Sequence, residues 1–202
     1  MDARGSCRDP FEVVFVCTGN RARSPLAEVL FRKYAAGIDA RTTSFGTLGI
    51  DGEAALASAV EAARGLGVDL SAHASRPLQL ADLSGADLVL GFEPAHVSIA
   101  VVEGRAGIGH TFLLGELLPL LDVPIIHDDP CERARMAVSI ADSRRVRTLP
   151  DAARAIADPY GLPAKAMRKT ADEIDRLVRA LVPGLFGAVL DPGTRSAAPA
   201  DH

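Results

Sequence analysis

Within "VFVCTGNRARSPLAE", residues 14 to 28, a thiol and a guanidinium stand six positions apart, at Cys17 and Arg23, with Gly-Asn between them and Ser-Pro after. A thiol is a weak nucleophile until it ionises, and a nearby guanidinium or helix N-terminus favours the thiolate. The same guanidinium is a planar fork that matches two oxygens of a tetrahedral oxyanion. Successive backbone N–H groups in a tight loop form an anion-binding nest, so Thr18, Gly19, Asn20, Arg21, Ala22 and Arg23 make a candidate phosphate-binding loop. It is not a nucleotide loop, because the Gly-Lys-Ser/Thr ending is absent. Gly19 and Asn20 suit left-handed backbone positions, and the Asn20 side chain can tie the loop down. The Ser24 hydroxyl is placed to hydrogen-bond the sulfur and stabilise it as a leaving group. A free cysteine at a strand end is also where small buried hydrophobes collect, so this stretch by itself leaves both readings open.

Cleaving a phosphate ester also requires a proton for the leaving oxygen, and a carboxylic acid is the usual donor. Asp-Pro occurs at Asp9, Asp129, Asp158 and Asp191. Asp9 precedes the first apolar run and Asp191 sits in the C-terminal tail. Asp158, in "ADPYG", stands just ahead of the last strong helical pattern, with Tyr160 placed to wall a pocket for an aromatic group. Pro159 restricts the residue before it and stiffens the loop. The same pair also serves simply to punctuate a turn.

These groups need a scaffold. "EVVFVC" (12–17) reads as a buried strand. Ser24-Pro25 reads as an N-cap followed by Pro at the first helical position, and Leu26, Leu30 and Tyr34 then recur on one face as far as Gly37. A second strand fits 40–45, and a helix fits 54–66 with Leu56, Val60 and Ala63 inward. A third strand fits 86–92, a short helix follows Pro94, and a fourth strand fits 109–114. A helix near 164–182 is lined by Met167, Ala171, Ile174, Val178 and Leu181. The alternation predicts an α/β fold: a small twisted parallel sheet of about four strands, helices on both faces, and the phosphate-binding loop after the first strand. Ligands of such sheets bind beyond the carboxyl ends of the strands, where Cys17 falls. The expected organisation is an N-terminal extension (1–11), one domain (12–183) with an inserted or extended segment near 119–157, and a disordered tail (184–202).

The 202-residue chain has a formal net charge of -4 and scattered rather than blocked arginines, which argues against a nucleic-acid binder. No apolar run approaches a membrane span, and "MDARGSCRDPFE" lacks the apolar core of a signal peptide. Cys7, Cys17 and Cys131 are odd in number and lack metal-like spacing. A disulfide framework or zinc site is therefore not expected, and the setting reads as reducing and cytoplasmic. No metal or cofactor is implied, and a monomer is expected.

The chain resembles the low-molecular-weight protein tyrosine phosphatase family. That family's loop reads V-C-x-G-N-x-C-R-S-P, and here it stands as "VCTGNRARSP". "SFGT" (44–47), "SAHASRPL" (71–78), "ADLVLGFEPAH" (86–96) and "ADPYG" resemble later family blocks in order, so the resemblance covers about 12–116 and 156–182. It implies a phosphatase acting on phosphotyrosine or other aryl phosphate monoesters, with a phosphotyrosine protein or small aryl phosphate as partner. Cys17 would form a cysteinyl-phosphate, Arg23 would clamp the phosphoryl oxygens, and Asp158 would protonate the leaving group and then activate water. Ser24 would assist thiolate departure. Asn20, Ser44 and His73 would hold the loop in shape, although His73 by itself reads as an ordinary histidine. Leu48, Tyr160 and Arg21 would border the substrate pocket, Arg21 either meeting acidic neighbours of a phosphotyrosine or standing in solvent.

The chain departs from the family at three points. Ala22 replaces a second cysteine that can trap the nucleophile in a reversible disulfide, so oxidation of Cys17 should run further up the ladder. The stretch before Asp158 is longer than the family's. A single tyrosine, then Gly161, follows Asp158-Pro159 where some relatives carry paired tyrosines. Two rival functions remain at this stage. One is a single-cysteine arsenate reductase using a small-molecule thiol, since the same cradle accepts arsenate. The other is a non-catalytic phosphate- or phosphoprotein-binding module.

Overall fold

The computed structural model describes residues 9–122, 124–145 and 154–187. Among these, β1 (Phe11–Cys17), β2 (Ala40–Gly46), β3 (Leu88–Gly91) and β4 (Thr111–Leu113) form an all-parallel sheet in the order β2-β1-β3-β4. Along β1, Phe11, Val13, Phe15 and Cys17 turn to one face while Val14 and Val16 turn to the other. Both faces are covered, which is why the strand reads as a nearly unbroken apolar run.

The described residues also form six α-helices, numbered in chain order: α1 (Arg23–Tyr34), α2 (Ala57–Gly65), α3 (Pro94–Val102), α4 (Leu114–Leu117), α5 (Pro130–Arg144) and α6 (Ala164–Phe186). The larger core lies between the sheet and α1, α2, α5 and α6, with Leu26, Leu30, Phe31, Ala63, Ala137, Ile174 and Val178 buried in it. The smaller core lies on the opposite face, where Ala100 of α3 meets Val14, Val16, Leu78 and Val89. The chain leaves β1 toward β2 on one side and returns to β3 on the other. The crevice beyond β1 is therefore a topological switch point, where open α/β sheets place their ligands.

Several boundaries differ from the sequence reading. Helix α1 starts at Arg23, with Ala22 at the N-cap position and no side-chain cap. Ser24 is therefore inside the helix, and its hydroxyl faces the thiol instead of capping. Helix α2 starts at Ala57 and buries Ala59, Ala62 and Ala63. Leu56 and Val60 are only partly buried, because the alanines let the helix lie close while Leu56 borders the cleft. Within 119–157 the structure places α5, whose first turn is capped by the Asp129 carboxylate accepting from the Cys131 and Glu132 N–H groups. Cys131 is disulfide-bonded, which corrects the expectation of unpaired thiols and removes the cysteine argument for a reducing compartment. Helix α6 runs to Phe186, past residue 183. Most of the expected N-terminal extension and tail, residues 1–8 and 188–202, lies outside the described residues. No described helix is long and apolar enough to cross a membrane.

Candidate active site

β1 delivers Cys17 to the floor of a cleft of about 230 Å³, lined by the loop residues Thr18, Gly19, Arg21, Ala22 and Arg23, by Leu48, Ile50 and Leu56, and by Asp158 and Tyr160. The loop turns tightly because Asn20 takes a left-handed φ of 50°, a conformation that asparagine tolerates better than most residues. Its backbone also lies against Gly46. A Cβ there would sit 2.9 Å from Asn20 N and from Gly19 C, so only glycine lets β2 pass this close.

Behind the loop, buried polar side chains pair with one another. Cys17 Sγ lies 3.0 Å from Ser24 Oγ. The Asn20 amide donates to Ser24 Oγ at 2.9 Å and to Ser44 Oγ at 2.8 Å. Asn20 Oδ1 accepts from the Arg76 N–H at 2.8 Å, and His73 Nε2 donates to the Asn20 carbonyl at 2.6 Å. Burial lowers the His73 pKa below the ordinary histidine value. The four support residues named from sequence, Ser24, Asn20, Ser44 and His73, thus converge on one network.

Arg23 is buried, and its side chain is 1% exposed. Nη1 donates to Glu93 Oε2 at 2.9 Å and to the Ile156 carbonyl at 3.0 Å. Nη2 donates to Thr18 Oγ1 at 3.0 Å and to Asp158 Oδ2 at 2.5 Å. Nothing local dictates this meeting, for 135 positions separate Arg23 from Asp158. The acid is held by its own loop: Asp158 Oδ1 accepts from the Tyr160 N–H, and the Ile156 N–H donates to the Phe92 carbonyl at the end of β3. Cys17, Arg23 and Asp158 are therefore brought together, with Leu48 and Tyr160 largely exposed at the mouth.

Arg21 is placed differently from either sequence reading. Its Nε donates to the Ala54 carbonyl at 2.8 Å, and its guanidinium lies 3.8 Å from the Glu53 carboxylate. It braces the loop against the cleft wall while still lining the cleft.

Sequence reasoning missed Glu93, His96 and Glu28. His96 Nδ1 accepts from the Glu93 and Phe92 N–H groups, so Nε2 carries the proton and donates to Thr18 Oγ1 at 3.0 Å. Burial first, then the Arg23 guanidinium beside it, lowers the His96 pKa to about 4. Glu28 is buried on α1 and receives Ser44, Arg76 and Arg32. The available signal was a carboxylate four residues after Ser24, on the same helix face as buried positions.

Cys131 does not reach this site. Its Sγ lies 3.3 Å from the Asp39 carbonyl, beside the N-terminal end of β1. Cys17 is at the other end of that seven-residue strand, about 20 Å away at strand rise. Among the described residues no cluster could hold a metal ion.

The arrangement matches known proteins. Residues 12–135 match the family described as low molecular weight phosphotyrosine protein phosphatase. The chain is 33% identical over 125 residues to the low molecular weight protein-tyrosine-phosphatase Etp of Escherichia coli K12, covering 62% of this chain and 80% of that one. It is 28% identical over 172 residues to a protein-arginine-phosphatase of Bacillus subtilis, covering 84% and 93%. The crystal structure of a low molecular weight protein tyrosine phosphatase from T. tengcongensis superposes with a TM-score of 0.64 at 29% identity, covering 87% of this chain and 99% of that one.

Proposed function

The chain belongs to the low molecular weight phosphotyrosine protein phosphatase family, and we propose that Cys17, Arg23 and Asp158 carry its reaction on aryl phosphate monoesters. The observation that carries this reading is their convergence on one cleft: a thiol on its floor, and a buried guanidinium in contact with a carboxylate at its wall. Cys17 thiolate attacks phosphorus, the P–O bond to the aryl group breaks, and protonated Asp158 gives its proton to the departing oxygen. Water then attacks the cysteinyl-phosphate while the Asp158 carboxylate takes its proton. The P–S bond breaks, and the thiolate leaves into the hydrogen bond from Ser24. Arg23 and the loop N–H groups meet the negative charge spread over the equatorial oxygens in both steps.

The leaving-group side supports an aryl substrate. Leu48, Ile50, Leu56 and Tyr160 wall the cleft with apolar surface, which suits a neutral ring. Some relatives are named protein-arginine-phosphatases, and a phosphoarginine would instead bring a cationic guanidinium beside Arg21 and Arg23. The test is turnover of p-nitrophenyl phosphate, a phosphotyrosine peptide and a phosphoarginine peptide in parallel. The aryl substrates should be hydrolysed, Cys17→Ser should abolish turnover, and Asp158→Ala should cost about 10²–10⁴-fold, most for poor leaving groups. Turnover confined to phosphoarginine would reject the aryl assignment. Activity surviving Cys17→Ser would reject the nucleophile. Thiol consumption with arsenate and no ester hydrolysis would favour arsenate reduction, and phosphopeptide binding without turnover a receptor.

A further inference from the structure

We propose that Glu28 is a positioning residue that fixes the proton order of the hydrogen-bond chain ending on Cys17, and thereby sets how fully the thiol is ionised. The inference rests on the reading of Cys17 as nucleophile. Its argument is one of donors and acceptors. An ionised carboxylate only accepts. The Ser44 hydroxyl, 2.6 Å from Glu28 Oε2, must therefore donate to it. Ser44 has no second proton, so it can only accept from the Asn20 amide.

The orientation of that amide is fixed from its other end. The backbone N–H of Arg76 requires the Asn20 oxygen to face it, so both amide protons point to the serines. Ser24 Oγ thus receives a proton from Asn20, and its own proton is left for Cys17 Sγ at 3.0 Å or, at the longer 3.3 Å, the Phe45 carbonyl. The order runs one way: Asn20 to Ser24 to sulfur on one arm, Asn20 to Ser44 to Glu28 on the other. A thiolate is the acceptor on which the shorter contact ends, whereas a thiol offers its own proton to Ser24 only when that hydroxyl turns to the longer contact with the Phe45 carbonyl.

Glu28 roots both arms. It takes the Ser44 proton directly, and it accepts from Arg76 Nη2 at 2.7 Å, holding the residue whose N–H orients Asn20. The negative charge does not act alone on the sulfur, because Arg76 and Arg32 both pair with it. The other ionisable groups around the chain are His73 on the Asn20 carbonyl, Arg23 and Asp158 at the cleft, and Glu93 and His96 behind Arg23. Unlike these groups, Glu28 accepts a proton directly from the serine–amide chain.

The sign of the effect separates this role from plain electrostatics. Removing a carboxylate near a thiolate should by charge alone make the thiolate easier to form. Removing the anchor of the proton order should make it harder. The experiment measures the rate at which iodoacetamide alkylates Cys17 against pH, with the label located by mass spectrometry, in the wild type, Glu28→Gln and Glu28→Ala. Thermal unfolding establishes that each variant is folded, and Glu28→Gln preserves shape should Glu28→Ala not fold. Alkylation near pH 5.5 should slow by about fivefold to tenfold and converge with the wild type at alkaline pH. In a Ser44→Ala background the Glu28→Gln change should add little, because both act through one chain. Faster or unchanged alkylation in the folded variants, or full additivity with Ser44→Ala, would overturn the proposal. The readout needs no turnover, so absence of aryl phosphatase activity in the wild type would refute the proposed reaction and leave this measurement standing.

Discussion

At the scale of single residues, His96 shows how burial fixes a protonation state and a direction at once. Its neutral ring accepts two backbone N–H groups on one nitrogen and donates to Thr18 on the other, so the Thr18 oxygen receives both His96 and Arg23. The folded pKa near 4 lies below the ordinary 6.5, so between those values the unfolded chain holds the extra proton. Stability is therefore fully present above about pH 6.5 and falls as pH drops toward about 4, by at most about 1.4 kcal/mol per pH unit for this group. The His73 shift has the same direction. Urea denaturation across that range should give a shallower pH slope for His96→Gln than for the wild type; parallel slopes would show that the ring titrates freely in the fold. None of this was readable in advance. Cys17, Arg23 and Ser24 announce themselves because eight consecutive residues carry all three, whereas His96 gains its meaning from Thr18, 78 positions away.

At the scale of elements, the turn from β2 matters as much as the loop it touches. Gly46 pairs with Cys17 across the two strands, and the next residues continue the pairing, Thr47 N–H to the Cys17 carbonyl and Leu48 N–H to the Thr18 carbonyl. Gly46→Ala forces a methyl to 2.9 Å from two loop backbone atoms. We expect a loss of about 1–3 kcal/mol in stability and a fall in kcat that exceeds any change in KM, measured by thermal unfolding and steady-state kinetics. A variant as stable and active as the wild type would show that the loop can shift without cost. The sheet and helix order was legible because β1, β3 and β4 are short buried runs, the mostly polar β2 lies between helical patterns, and the long helices repeat apolar residues on one face. The start of α1 was not: Ser-Pro has the chemistry of a cap, but the thiol competes for the same hydroxyl. The buried face of α2 was misread because alanines carry little hydrophobic signal, although they allow the closest packing.

At the scale of the whole molecule, the fold joins ends of the chain that sequence patterns treat separately. Arg133 on α5 donates to the Gly184 and Leu185 carbonyls, serving the C-terminal turn of α6, where helix carbonyls lack intrahelical partners. Arg135 ties the same helix to Asp87 and to the entry of β1 through the Asp9 and Pro10 carbonyls. These arginines looked scattered in the sequence because their acceptors are mostly distant backbone carbonyls, which leave no pattern. The stretch that reads as an insertion thus includes a helix that fastens β1 and α6, and it leads into the loop bearing Asp158.

That loop closure means that the cleft carries its own competitor. The Asp158 carboxylate occupies one donor of Arg23, as an oxygen of an arriving anion would. Any oxyanion must outbid it, inorganic phosphate included, and a bare phosphate has no ring to recover the cost on Leu48 and Tyr160. An enzyme built this way is partly shielded from its own product. Calorimetry should find inorganic phosphate binding to Asp158→Ala up to about fivefold more tightly than to the wild type, the scale of a partly exposed ion pair. Equal or weaker binding would mean that the carboxylate does not contest the site.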